Sequence, residues 1–164
     1  MLEPKEKKGK CSYEPMKKYI NIKLVDAVAC RDTQKLCGNY QQETKGYKVA
    51  YKNKYFSWCS KELFETINFP IEDGNKITES DAVNMINQVQ VTTIDRMTTF
   101  VYVTLLNGFT LTETSSCINP ISYSEKIGTD ICMEKVVNKV RFLLEFLLQT
   151  AQNGFMLERE RKIH

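Results

Sequence analysis

Histidine is nearly missing from this sequence of 164 residues: the only one, His164, is the last. A catalytic imidazole or a histidine-based metal site is therefore not expected, because chain ends are where order is hardest to keep. Long apolar runs are missing too. With no stretch of roughly 18 apolar residues, no membrane-spanning helix is expected. The first ten residues, MLEPKEKKGK, are charged with no apolar segment behind them, which argues against a signal peptide. The expectation is a chain working in the cytosol, where thiols stay reduced. None of the six cysteines, at 11, 30, 37, 59, 117 and 132, stands in a CxxC pair. The nearest two, Cys30 and Cys37, have a spacing no common zinc knuckle uses. Buried or incidental thiols are expected, with no metal and no cofactor. GxSxG, Walker and GxGxxG motifs are absent as well. Acidic residues such as Glu113 and Glu134 are expected on solvated surface rather than in acid–base work. The chain therefore reads as a binding protein without catalytic residues, not as an enzyme.

What is present is a globular composition, 42 % hydrophobic and 26 % charged. The net charge of +3 is unevenly spread. Residues 1–61 hold 14 Lys/Arg against 6 Asp/Glu, whereas residues 62–164 hold 9 against 14. Two modules with different surfaces are expected, the second a poor general binder of phosphate backbones.

Along the chain, residues 1–18 read as a basic tail. Ile20, Ile22, Leu24 and Val28 alternate with polar residues, which predicts a strand over 19–28, followed by loop over 29–44. GYKVAYKNKYFSW (46–58) predicts a hairpin turning at Asn53–Lys54. A short helix follows at 60–67, with Ser60 as its cap and Leu63, Phe64 and Ile67 on one face. Pro70 and Asp73–Gly74 break the pattern, which places a boundary there: a small β-rich module over 19–74, then an α+β domain over 75–164.

In the second module, Thr78 or Ser80 opens a helix whose Val83 and Ile86 should point inward. Strands are expected at 89–95 and 98–106. Asn107–Gly108, between VYVTLL and FTLTETSS, predicts a type I′ hairpin turn. After Pro120, Ser122 or Ser124 opens a long helix to about Gln152, with Ile127, Ile131, Val136, Val140, Leu143 and Leu147 at helical spacing. FLLEFLL (142–148) makes its end apolar nearly all round. One side packs on the sheet, and the surplus predicts self-association. Asn153–Gly154 should close the helix, with MLERERKIH as a polar tail. The fold class expected is α+β, a small antiparallel sheet packed by a long C-terminal helix, with a separate small β-rich N-terminal module.

Aromatic residues Tyr47, Tyr51, Tyr55, Phe56 and Trp58 interleave with Lys45, Lys48, Lys52 and Lys54. That pattern suits single-stranded bases, but a small β core with outward lysines predicts it equally. Nucleic acid is not the partner expected.

From TESDAVNMI (78–86) to EFLL (145–148), the second module resembles a small tailed-phage family named for a gene-49 product. The matching series is Asn107, Gly108, Phe109, Ser115, Cys117 and Pro120, then Tyr123, Ile127, Gly128, Ile131, Glu134, Lys139, Leu143, Phe146 and Leu147. The first module resembles another short phage element through Gly46, Tyr47, Val49, Tyr51, Tyr55, Ser57, Trp58, Lys61 and Phe64. The gene-49-like family includes the first class of anti-Thoeris proteins. The resemblance thus implies a homo-oligomeric sponge that holds a cyclic nucleotide signal of cyclic ADP-ribose type. For such a ligand, Phe100 or Tyr123 is the stacking candidate, Lys139 and Arg141 are the phosphate-binding candidates, and Phe109 is a further ligand-binding candidate. The chain departs from the family's pattern at Glu113–Thr114–Ser115, where Gly-Glu-Ser is usual, and at Thr129, Lys135 and Arg141.

Overall fold

A computed structural model of the chain describes residues 18, 20–35, 41–51 and 54–155. The basic tail up to position 17, the loop centre around Gly38–Asn39, Asn53 and MLERERKIH lie outside the described residues. The architecture is α+β: two separate three-stranded antiparallel sheets and one long C-terminal helix.

The first sheet has the order β1 (Asp26–Lys35), β2 (Gln41–Ala50), β3 (Phe56–Ser60). β1 begins later than the alternation at 20–28 predicts and runs through the segment expected to be loop. Its ladder with β2 extends from Asp26↔Ala50 to Lys35↔Gln41. Such a ribbon is held by backbone hydrogen bonds, so it needs no apolar alternation to exist. Leu24 is instead packed, with Phe69 and Ile71, against the core formed by Ala82, Met85, Val101 and Val103. The β2–β3 turn closes through Tyr51 N–H to Tyr55 O at 2.9 Å, with Lys54 at φ 63°.

Helix α1 (Lys61–Ile67) follows at once. Ser60 occupies its N-cap position but its hydroxyl makes no capping bond. Of the face expected to be apolar, only Phe64 packs, stacking on Tyr47 with ring centroids 4.2 Å apart; Leu63 and Ile67 stay exposed.

A turn at Asp73–Gly74 then leads to helix α2 (Glu79–Asn84). Thr78 is its N-cap, in a capping box with Asp81. Asp81, Ala82 and Met85 are the buried residues, whereas Val83 points outward, contrary to expectation. A six-residue helix buries only one narrow stripe, and the capping box fixes which. β4 (Ile86–Ile94), β5 (Thr98–Leu105) and β6 (Thr110–Ser116) form the second sheet in sequence order.

The two turns of this sheet differ from the sequence reading. The consecutive positive φ angles of a type I′ turn fall at Asp95 (49°) and Arg96 (56°), between β4 and β5. At the Asn107–Gly108 turn only Gly108 is positive, at 81°. Gly108 N–H donates to Leu105 O at 2.9 Å, and the Asn107 side-chain oxygen accepts from Phe109 N–H at 3.0 Å. This is a three-residue loop that ends on a left-handed glycine.

A short 3-10 turn (Pro120–Ser122) leads into helix α3 (Glu125–Asn153), capped by Ser124 and ended by Gly154 at φ 70°. The helix lies on β5 and β6. Its buried line is Gly128, Cys132, Val136, Val140, Leu144 and Leu148, spaced by fours. The stripe expected to be internal is thus partly wrong: Ile127, Ile131, Leu143 and Leu147 remain exposed. With apolar residues nearly all round, periodicity cannot choose the face. Gly128 chooses it, because a Cβ there would stand 2.7 Å from the Cβ of Thr99. Only glycine lets the helix come this near to β5. Opposite it, Thr99, Val101, Val103 and Leu105 fill the sheet side of the core. Each such valine contributes about 1.5–3 kcal/mol by burial.

Candidate ligand groove

The turn after β5 throws Phe109 outward, and β6 then returns beneath α3. Between them lies a shallow groove of about 370 Å³, lined by Phe109, Leu111, Asn138, Lys139, Phe142 and Leu143. Leu111 faces the helix because it sits opposite Val103, whose side chain is wholly buried there. Asn138, Lys139, Phe142 and Leu143 project from one and a half turns of α3.

The charges beside the groove are tied to β6. The Lys139 ammonium pairs with Glu113, which is largely buried, and Lys135 donates to Thr114 O at 3.0 Å. Two lysines one helical turn apart thus pin the strand to the helix. Two of the positions at which the chain departs from the family pattern, Glu113 and Lys135, belong to this clamp.

Of the five residues named from sequence, Phe109 and Lys139 meet in the groove. Arg141 reaches its rim, donating to the side-chain oxygen of the groove residue Asn138 at 3.2 Å and pairing with Glu145 at 3.8 Å. Tyr123 is elsewhere, at the start of α3. Its hydroxyl sits between the hydroxyls of Thr93 (2.8 Å) and Thr99 (2.9 Å), and Thr93 also donates to Glu125. This network seats the first turn of the helix. Phe100 lies on the opposite face of the sheet, because its neighbours Thr99 and Val101 are the ones turned toward α3. Within one chain, Phe100 and Tyr123 therefore do not share the groove. Leu111, Asn138 and Leu143 went unnamed as lining residues. Phe142 had a signal, as part of the apolar surplus in FLLEFLL.

That surplus is real on the surface. Phe142 is 70 % exposed and Phe146 57 %, with Leu143 and Leu147 beside them, whereas Leu148 is buried. The stripe is continuous with the groove, since Phe142 and Leu143 belong to both. Cys132 lies in the core below, and burial pushes its thiol above the usual range, with Glu113 adding to the effect and Lys135 opposing it. Among the described residues, no three His, Cys, Asp or Glu side chains converge as metal ligands would, and no helix is long and apolar enough to cross a membrane.

No curated protein and no solved structure matches the chain. One family model does, over residues 72–152, a span that runs from the Asp73–Gly74 turn to the last turn of α3 and contains the whole groove. Over these residues the chain belongs to the Phage protein (N4 Gp49/phage Sf6 gene 66) family.

Proposed function

We propose that the chain is a phage anti-defence protein that binds and sequesters a cyclic nucleotide immune signal, of cyclic ADP-ribose type, without cleaving it. The observation that carries this reading is the groove between β6 and α3, with two aromatic rings, Phe109 and Phe142, and a cation at the edge. A nucleobase needs an apolar, aromatic wall, and the volume of about 370 Å³ lies at the lower end of the range of small-molecule sites. The exposed lining is almost wholly apolar, which suits a stacking wall, and Lys139 beside it is paired with Glu113.

A single chain leaves this groove shallow. A second copy laid on the stripe of Phe142, Phe146 and Leu147 would wall it in, which supports a homo-oligomer acting in the host cytoplasm. Slow release then follows from burial rather than from one strong contact.

The test uses purified protein mixed with cyclic ADP-ribose isomers and cyclic dinucleotides. The expected result is loss of one compound from the filtrate and its return, chemically intact, after heating. At a hundredfold excess over the dissociation constant, binding raises stability by about 2.7 kcal/mol, readable as a thermal shift. A cleaved product would mean an enzyme, and no binding across the panel removes the reading. The exposed helical stripe also favours a second reading, an inhibitor that docks on a host defence enzyme. Stoichiometric capture of one bacterial protein, lost on Phe142→Ser, would select it.

A further inference from the structure

The first module has a face that the groove does not use. Directly opposed residues on antiparallel strands share a face, so the register groups Val28 with Lys48 and Trp58, and Asp26 with Ala50 and Phe56. Helix α1 covers the other side, where Phe64 stacks on Tyr47. On the side bearing Val28, Lys48, Phe56 and Trp58, Phe56 is 56 % exposed and Val28 and Lys48 are open to solvent, while Trp58 is half-buried with its indole nitrogen inside. The alternation alone predicts a small β core with lysines outside. The register adds that the core forms on one side only, and that an aromatic ring is stranded with the lysine on the other.

We propose that this face is a platform for single-stranded nucleic acid, with Phe56 stacking on a base and Lys48 meeting the adjoining phosphate. Three observations carry it. First, Lys48 Nζ stands 4.8 Å from the centre of the Phe56 ring, so cation and stacking surface are already adjacent. Such a contact is weak at an exposed site and yields readily to a base and a phosphate. Second, Trp58 lies across Gly46, where an added Cβ would come within 2.6 Å of the indole, so a second aromatic is held against the strand beside Lys48. Third, the charge is of the right sign. The segment leading into β1 carries Lys5, Lys7, Lys8, Lys10, Lys17, Lys18 and Lys23 against Glu3, Glu6 and Glu14, a surplus that outweighs Asp26 and Asp32, the two acids that the register places on this face. A protein partner would need a continuous apolar centre, which Lys48 interrupts between Val28 and Trp58. Duplex bases are stacked on each other and cannot use an aromatic platform.

The experiment is fluorescence anisotropy with the whole chain, a labelled twenty-nucleotide oligo-dT and a duplex of the same length, at low and physiological salt. The single strand should bind more tightly than the duplex. Phe56→Ala should weaken it at least about fivefold, the lower end for loss of one stacked base. Lys48→Ala should reduce the slope of log affinity against log salt by about 0.7. Both side chains are exposed, so unchanged melting curves will show that the fold is intact. Equal affinity for strand and duplex, unaffected by Phe56→Ala, would mean that the basic leader acts alone and would overturn the proposal. So would no strand binding at low salt, or a nuclease-resistant protein partner whose capture depends on Phe56 in place of strand binding.

Discussion

Replacing Gly128 with alanine sets two effects of opposite sign against each other. By helix propensity alone, alanine in the interior of α3 should stabilise by about 1 kcal/mol. The new methyl, however, would overlap the Thr99 hydroxyl and sit 2.7 Å from Thr99 Cβ, against an ordinary carbon–carbon contact of roughly 3.5–4.0 Å. Rotating Thr99 moves its hydroxyl but not its Cβ, and breaks the 2.9 Å bond to Tyr123, worth about 1 kcal/mol. The helix must therefore lift by about 1 Å, opening the contacts of Cys132 and Val136; overpacking of this kind costs about 1–3 kcal/mol. The balance is a net loss of about 2 kcal/mol, or a fall in Tm of roughly 8–16 °C for a domain of this size. Thermal melts followed by helical circular dichroism will read it. Thr99→Ala should rescue little, because its Cβ stays in place, whereas Thr99→Gly in the same background should recover stability through a favourable coupling. A Gly128→Ala protein as stable as the parent would refute the account of how α3 is seated.

Three further outcomes are expected. Asp81 is 1 % exposed and accepts from Thr78 N–H (2.8 Å), the Thr78 hydroxyl (2.9 Å) and Glu72 N–H (3.1 Å), so Asp81→Ala should cost about 2–4 kcal/mol in urea unfolding. Burial pushes its carboxyl upward, but those hydrogen bonds outweigh it and hold the group below its usual value. A depressed carboxyl stabilises above its unfolded pKa and loses that contribution as pH falls through the folded value; the gap between parent and Asp81→Asn should therefore close below about pH 4. Gly46→Ala should drive Trp58 off the strand and shift its fluorescence to the red, and an unchanged emission maximum would contradict the packing. Phe142→Ser with Phe146→Ser should leave monomer stability within about 0.5 kcal/mol and lower the molar mass measured by light scattering. An unchanged mass would show that the stripe is not where copies meet.

How much of this was legible in the sequence depended on whether one rule acted alone. β5 was legible because every second residue, from Thr99 to Leu105, is turned into the core and nothing competes with that alternation. The limits of α3 were legible because Ser124 and Gly154 are strong start and stop signals. Its buried face was not, since Ile127, Ile131, Leu143 and Leu147 are as apolar as the residues that win. The deciding feature was a single missing Cβ at Gly128, a tertiary fact visible in sequence only as a glycine inside a helix. The limits of β1 were not legible, because a ladder between polar strands leaves no hydrophobic period. The groove was half legible: Phe109 and Lys139 were named, while Phe100 and Tyr123 went to the far face and the far end. A strand places neighbouring residues on opposite sides, and α3 is long enough to put Tyr123 roughly 20 Å from Lys139.

The charges around the groove say where binding energy for a nucleotide has to come from on the proposed reading. Lys139 looks like a phosphate ligand in the sequence, but it enters the site already paired with Glu113. An arriving phosphate that took Lys139 for itself would leave a largely buried carboxylate without its cation, a cost that offsets most of the new contact. The aromatic walls carry no such debt. Phe109 and Phe142 stand exposed in the free chain, so stacking a base between groove and solvent removes apolar surface from water with no internal bond to break. Phosphate recognition then falls to cations with weaker ties, of which Arg141 is the nearest: its pair with Glu145 is long and exposed, and its reach already includes Asn138 in the groove wall. A guanidinium there, or one from a second copy laid on the Phe142–Phe146 stripe, can hold a phosphate without dismantling the clamp between β6 and α3. On that reading the departure at Arg141 adds a weakly tied charge at the rim, while Glu113 and Lys135 tie β6 to α3.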